Sequence, residues 1–213
     1  MKKIGILGSG QVAKALANGF AAAGYDVMMG TRELTKLEEF KNQVSVKVST
    51  FENAAAHGEI IVLAVKGSVA NSAIALAGID HLTDKLILDT TNPISDLAPV
   101  NGVLSYFTAM DNSLMEQLQR QAPRAHFVKC WNSVGNAYMI NPDFGGVRPT
   151  MFICGNSEAA KQETSEILNE FGWDAEDMGK VESARAIEPL CILWCAPGFL
   201  RNQWTHAFKL LKK

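Results

Sequence analysis

Gly8, Ser9 and Gly10, with Ala13 three residues further on, form a G-x-G-x-x-A pattern near the start of this chain. Each residue type suits one job in holding a dinucleotide. Gly8 permits a tight turn out of a strand, and Gly10 lets the backbone approach a pyrophosphate with no Cβ between them. Ala13 lets the following helix pack close to that strand, and the helix N-terminus offers unpaired N–H groups and a partial positive charge. The competing reading is a glycine turn that holds nothing. Context speaks against it: Ile4, Ile6 and Leu7 lead in as a strand, and Ala15, Leu16, Phe20 and Ala21 continue as a helix.

The second feature with chemical content follows the next apolar run, Asp26-Val27-Met28-Met29, and reads Gly30-Thr31-Arg32. It stands about 20 residues beyond the glycine turn, where an NAD-selective site places a carboxylate on the ribose hydroxyls. Neither position 30 nor 31 is acidic. Thr31, the guanidinium of Arg32 and the ammonium of Lys36 suit a 2′-phosphate instead, through charge-assisted and potentially bidentate hydrogen bonds. The expected cofactor is therefore NADP(H); the alternative is a solvated arginine beside Glu33.

These residues need a frame to position them. Val44 to Val48 alternates with period two, as a half-wet strand does. Thr50 reads as the N-cap of a short helix that Gly58 stops. Ile60 to Val65 and Leu86 to Leu88 are continuous apolar runs of central-strand type. A helix over about Ser68–Ala77 separates them. This alternation predicts an α/β fold, a doubly wound parallel sheet of Rossmann type with right-handed crossovers, whose ligands gather at the carboxyl ends of the strands. Gly8–Val12 (with Ser9 and Gln11), Ala64–Gly67 (with Val65 and Lys66) and Thr91–Pro93 (with Asn92) are the segments that would face a cofactor. Asn92, Asn132 and Ser133 could hold polar ring groups or could simply build turns.

Residues 94–112 read as loop, and Ser113 to Glu116 as a capping box opening a helix to about Gln121. Strands are expected near Phe127–Cys130, Thr150–Cys154 and Trp173–Met178, with a helix over Ala159–Phe171. Residues 1–180 would form the NADP-binding domain. Residues 181–213 would form a short tail of two helices broken at Pro197-Gly198, packing on that domain or on a second chain. The apolar Trp194, Phe199, Trp204 and Phe208 in this tail suggest a homodimer. Trp131 and Trp194 could stack on a ring, although core filling suits them better.

With 47% hydrophobic and 20% charged residues and a net charge of −2, the chain has a soluble globule's composition and no electrostatic call on nucleic acid or anionic membranes. No apolar run reaches the roughly 18 residues of a membrane helix. Strand character begins by residue 3, so no signal peptide is expected. The four cysteines lack zinc spacing; no metal and a reducing cytoplasm are expected.

Together these segments resemble the NADPH-dependent oxidoreductases typified by reductases of the deazaflavin coenzyme F420, a family related to the cytoplasmic domain of membrane ferric reductases. The carriers are Gly8-Ser9-Gly10, Gly30-Thr31-Arg32, Asp89-Thr90-Thr91-Asn92-Pro93, the stretch Val128 to Val134, and Glu182 to Leu190. The resemblance implies that Gly8–Val12 hold the pyrophosphate and that Thr31, Arg32 and Lys36 hold the 2′-phosphate. It further implies that Ala64–Lys66 line the nicotinamide side and that Ala137 lies near the carboxamide. The implied partner is a small-molecule redox acceptor: coenzyme F420, a flavin or a quinone. Where the family commonly has proline after the fourth strand, this chain has Lys66-Gly67, a charge and a hinge near the expected hydride-transfer site. Arg185 could face an anionic acceptor tail or lie on a helix surface. Two other functions fit the same fingerprint: a dehydrogenase or imine reductase for small substrates, and a non-catalytic NADP(H) redox sensor.

Overall fold

A computed structural model describes residues 1–213. Strand β1 (Lys3–Leu7) enters the core at once, and helix α1 (Gln11–Ala22) returns over it to β2 (Asp26–Gly30). A 3-10 turn over Leu34–Leu37 and helix α2 (Glu38–Gln43) lead to β3 (Lys47–Ser49). That edge strand lies later than the alternation of Val44–Val48 suggested: Val44 still serves as the C-cap of α2, and Lys47, Val48 and Ser49 pair with Met28, Met29 and Gly30. Helix α3 (Phe51–His57) opens as expected: the Asn53 amide donates to Thr50 Oγ1 at 3.2 Å. Then come β4 (Ile60–Leu63), α4 (Ala70–Ala77), β5 (Leu86–Asp89), α5 (Leu114–Gln121) and β6 (His126–Lys129). Helix α5 carries the anticipated capping box, with Ser113 and Glu116 bonded reciprocally. The chain closes with β7 (Thr150–Gly155), α6 (Glu158–Glu170), β8 (Asp174–Asp177), α7 (Ala184–Ile187) and α8 (Leu190–Arg201).

All eight strands form one sheet in the order β3-β2-β1-β4-β5-β6-β7-β8. From β3 to β6 every pairing is parallel, the doubly wound Rossmann half that the alternation predicted. β7 then runs antiparallel to β6, and β8 is parallel to β7. The cause lies in the connection. Residues 130–149 hold only turns and a 3-10 helix at Asn136–Tyr138, so no crossover helix carries the chain back to the amino edge. Two apolar clusters cover the sheet: one under α1 and α6 around Leu16, Phe20, Trp131 and Phe171, the other under α3, α4 and α5 around Leu63, Ile74, Leu118 and Phe127.

The tail departs from expectation in one respect. Helix α8 runs through Pro197 and Gly198 to Arg201 and ends on Asn202 in the left-handed region at φ 53°; residues after Asn202 are not helical. Pro197 costs the helix the rung to the Leu193 carbonyl, at a residue that lies on the exposed side of α8. Packing overrides the helix-breaking pair. Trp194 is buried beneath His206, and the Trp204 ring lies where a Cβ on residue 198 would sit, 2.3 Å from its ring carbons. No helix of the chain is long and apolar enough to cross a membrane.

Candidate cofactor site

The carboxyl ends of β1, β2, β4, β5 and β6 bring the expected segments to one edge. Gly8 sits at φ +145°, and a Cβ there would stand 2.2 Å from the Ala64 carbonyl oxygen. Glycine at position 8 is thus required by the fold itself. Gly10 differs: its φ of −80° suits any residue, and a Cβ there would meet nothing within 4 Å. Directly after it, α1 begins with no side-chain cap and no acidic residue in its first turn. An open glycine in front of an uncapped helix N-terminus is a cradle for an anion.

A cavity of about 230 Å³ extends from Gly8, Ser9 and Gly10 to Thr31, Arg32, Glu33 and Lys36. Its far wall is apolar, formed by Phe51, Val65, Val69, Ala73 and Leu76. Thr31 is buried, and its hydroxyl closes a small turn with the Glu33 backbone, accepting from the Glu33 N–H and donating to the Glu33 carbonyl, each at 3.2 Å. Lys36 pairs with Glu33 at 3.0 Å. Arg32 is exposed and has neither an ion pair nor a side-chain hydrogen bond, so its guanidinium stands free beside the cavity. Gln11 is exposed on the first turn of α1 and borders a shallower groove with Asn136, next to Ala137; Val12 packs on the core.

At the other end of the edge, Ala64 and Val65 border the cavity, and Lys66 reaches across to an ion pair with Asp96. Gly67 is not a hinge. It is buried, and a Cβ on it would stand 2.0 Å from the Asn92 carbonyl oxygen, so glycine lets the ends of β4 and β5 approach. Asn92 and Asn132 hold each other. Asn92 Nδ2 donates to the Asn132 carbonyl at 2.7 Å, and Asn132 Nδ2 donates to Asn92 Oδ1 at 3.2 Å and to the Ile187 carbonyl at 2.9 Å. These carboxamides therefore build the turn. Asn132 Oδ1 and Trp131 Nε1 remain buried with no partner. Trp131 adopts φ 52°, an outlier for a bulky aromatic residue, and it fills the core rather than an open face. Orphaned polar atoms and backbone strain both concentrate at working sites.

Beneath this edge lies a feature the sequence did not disclose. Lys129 is wholly buried; its Nζ lies 2.7 Å from Asp89 Oδ2, 3.0 Å from Glu188 Oε1 and 2.8 Å from the Thr91 carbonyl. Burial pulls this ammonium down, but the two carboxylates outweigh it and hold its pKa above the ordinary value. Glu188 also accepts the Leu114 and Met115 amides at 3.0 Å each, capping α5 from the tail. Arg185 is a surface residue in a bidentate pair with Glu116, at 3.0 and 2.6 Å. That guanidinium, together with Ser113, holds the Glu116 carboxyl at a pKa of about 2. Arg185 is therefore committed to the fold and not to an acceptor.

Comparison with known proteins places this arrangement. The family model for NADP oxidoreductase, coenzyme F420-dependent, matches residues 3–93, the segment from β1 through the Asn92-Pro93 turn. A crystal structure from Arthrobacter sp. FB24, whose name as an F420-dependent NADP reductase is provisional, is 30% identical, covers 100% of both chains and superposes with a TM-score of 0.90. The chain belongs to this F420-dependent NADP oxidoreductase family. Within the family's reach, the F420-dependent NADP reductase of Methanothermobacter thermautotrophicus is 26% identical over 89% of this chain and 86% of its own length. Metalloreductase STEAP3 of Rattus norvegicus is 30% identical over 93% of this chain but only 39% of its own length. The chain thus spans about two-fifths of that metalloreductase.

Proposed function

We propose that the chain binds NADP(H) along the carboxyl edge of the sheet and works as an oxidoreductase toward a flat ring acceptor: coenzyme F420, a flavin or a quinone. The observation that carries this reading is the open Gly10 before an uncapped α1, with an unpaired Arg32 at the end of β2. The backbone N–H groups of Ser9–Val12 would take the pyrophosphate, with Gly8, whose own N–H donates to the Gly30 carbonyl at 3.0 Å, supplying the turn, and Arg32 and Lys36 would take the 2′-phosphate. Thr31, whose hydroxyl is already engaged, would shape the turn that presents them. Ala64, Val65, Lys66 and Asn92 would flank the nicotinamide, with Ala137 toward its carboxamide. NADPH, when bound, supplies the hydride, and the protein's task is alignment of two rings at about 3–3.5 Å. Four unpaired cysteines suit a reducing cytoplasm.

Selectivity follows from Arg32. Replacing Arg32 with Ala is expected to weaken NADPH at least about tenfold, or ~1.4 kcal/mol, and to leave NADH within about twofold. Isothermal titration with both cofactors reads this. Equal losses would make Arg32 a residue of the fold.

Reaction between two rings needs no protein acid, and the histidines are placed accordingly. His57 bonds the Asp26 carbonyl at 3.1 Å, at the amino end of β2, and His126 opens β6. His81 lies near Glu52, and His206 stacks on Trp194 in the tail. None borders the cavity. Turnover of NADPH against coenzyme F420, flavin mononucleotide, a quinone and a cyclic imine tests the function. A ring acceptor should be reduced, and His→Gln variants at the four positions should keep kcat within a few-fold. General acids contribute about 10²–10⁴-fold. A hundredfold loss at one histidine, or reduction of the imine alone, would point to small-substrate chemistry; binding with no turnover would point to a sensor.

A further inference from the structure

The four cysteines lack the spacing of a zinc site, and the chain gathers no group of three or more His, Cys, Asp or Glu side chains that could hold a metal. Two of the cysteines nevertheless meet. Cys191 and Cys195 stand one turn apart on the same face of α8, and their Sγ atoms lie 4.0 Å from each other. Cys191 is buried, while Cys195 is half-buried and opens the pair to solvent. The Tyr106 hydroxyl borders Cys191 and donates to the Glu188 carbonyl at 2.6 Å. The two segments that meet here, Leu97–Met110 and Pro189–Leu200, contain no acidic, basic or histidine side chain. A second sulfur pair, Cys154 and Met115 at 3.8 Å, is fully buried, and its thioether offers no anion.

We infer that Cys191 and Cys195 form a two-thiolate site for a soft monovalent metal ion, with Cu(I) as its occupant. Distance is the first argument. Cβ atoms four residues apart on a helix are about 5–6 Å from each other, whereas a disulfide needs about 3.5–4.5 Å. The sulfurs therefore cannot bond directly unless a turn of α8 unwinds. One atom inserted between them fits. At the ~2.3 Å of a thiolate bond to zinc, two such bonds in line span about 4.6 Å, and a bent pair less. Small side-chain rotations suffice to reach that span. Donor number and softness then choose the metal. A structural zinc ion asks for four donors, and calcium and magnesium ask for oxygen. A closed-shell monovalent ion is satisfied by two, and thiolate is the soft ligand that selects Cu(I). Charge agrees, since one positive charge between two thiolates leaves a single negative charge in these uncharged surroundings. The protons are also disposed to leave in turn. The hydrogen bond between the pair holds the Cys195 thiol below its ordinary value, and that bond together with burial raises Cys191. The half-buried sulfur ionises first, and the arriving metal displaces the second proton.

The site is separate from the cofactor cavity, whose lining includes neither cysteine, and its test needs no turnover. Anaerobic titration of the reduced full chain with Cu(I), in competition with the chromogenic chelator bicinchoninate, reads it. The chain should hold one equivalent, and X-ray absorption should show sulfur neighbours without nitrogen. Cys191→Ser and Cys195→Ser should each weaken binding about 100-fold or more, since each removes half of the ligands, while Cys154→Ala should stay within about twofold. Cys195 is half-buried, so its serine variant should fold even if Cys191→Ser does not, and circular dichroism checks both. No retention of Cu(I) by the wild type would overturn the inference, as would retention by both serine variants or nitrogen coordination. A disulfide between residues 191 and 195 that forms in air with full helix content would overturn it equally, because the sulfurs would then need no bridging atom.

Discussion

Lys129→Ala should lower folding stability by about 3–5 kcal/mol, since removing one partner of a buried ion cluster leaves uncompensated charge in the interior. Here the orphans would be Asp89 and Glu188, both buried and both within 3.0 Å of the lost ammonium. For a domain whose total stability is about 5–15 kcal/mol, that is a large share. The melting temperature should drop by roughly 10 °C or more. Neutralising the whole cluster with Asp89→Asn, Lys129→Met and Glu188→Gln should recover much of the loss, because the desolvation penalty of all three charges disappears together. Chemical denaturation with native-state controls measures both variants. A loss under about 1 kcal/mol for Lys129→Ala would mean that water reaches the cluster.

Gly10→Ala should do the reverse: leave stability alone and weaken cofactor binding sharply. Nothing in the fold asks for glycine there, as the backbone angles are ordinary and the Cβ has open space. The added methyl would stand in the approach to the α1 N-terminus, where a pyrophosphate needs backbone contact. NADPH affinity should fall about 100-fold or more, ~2.7 kcal/mol, with the apo melting temperature within a degree or two. Gly8→Ala is the control with the opposite signature, since its Cβ would collide with the Ala64 carbonyl and it must unfold or shift the chain. Unchanged NADPH affinity in Gly10→Ala would place the pyrophosphate elsewhere.

The legible parts of this structure were those written in local pattern. The turn from β1 through Gly8 and Gly10 into α1 is a matter of neighbours, and so are the caps at Thr50 and Ser113, which lie three residues from the amides they accept. Apolar runs gave the central strands and hence the edge where a cofactor must lie. What escaped depends on distant partners. Lys129 looks like any strand-end lysine until Glu188, far along the chain, is seen against it. Arg185 looks free until Glu116 arrives from α5. The antiparallel turn of β7 is fixed by what the 130–149 connection lacks, and the continuity of α8 through Pro197 by aromatic rings that fold back from residues 204 and 206. The hinge suggested at Gly67 proved to be a close contact, visible only once Asn92 was placed.

Glu188 has a consequence for the order in which the molecule comes together. It is made after every strand of the sheet, yet it holds the ammonium under β5 and β6 and the first amides of α5. While the chain is still emerging from the ribosome, Lys129 has only Asp89 for a counter-ion, and the start of α5 lacks its acceptor. The cofactor edge therefore lacks this lock until residue 188 has been made. Glu188 acts as a keystone: the arch of strands is raised first, and a stone set after them lets it bear weight.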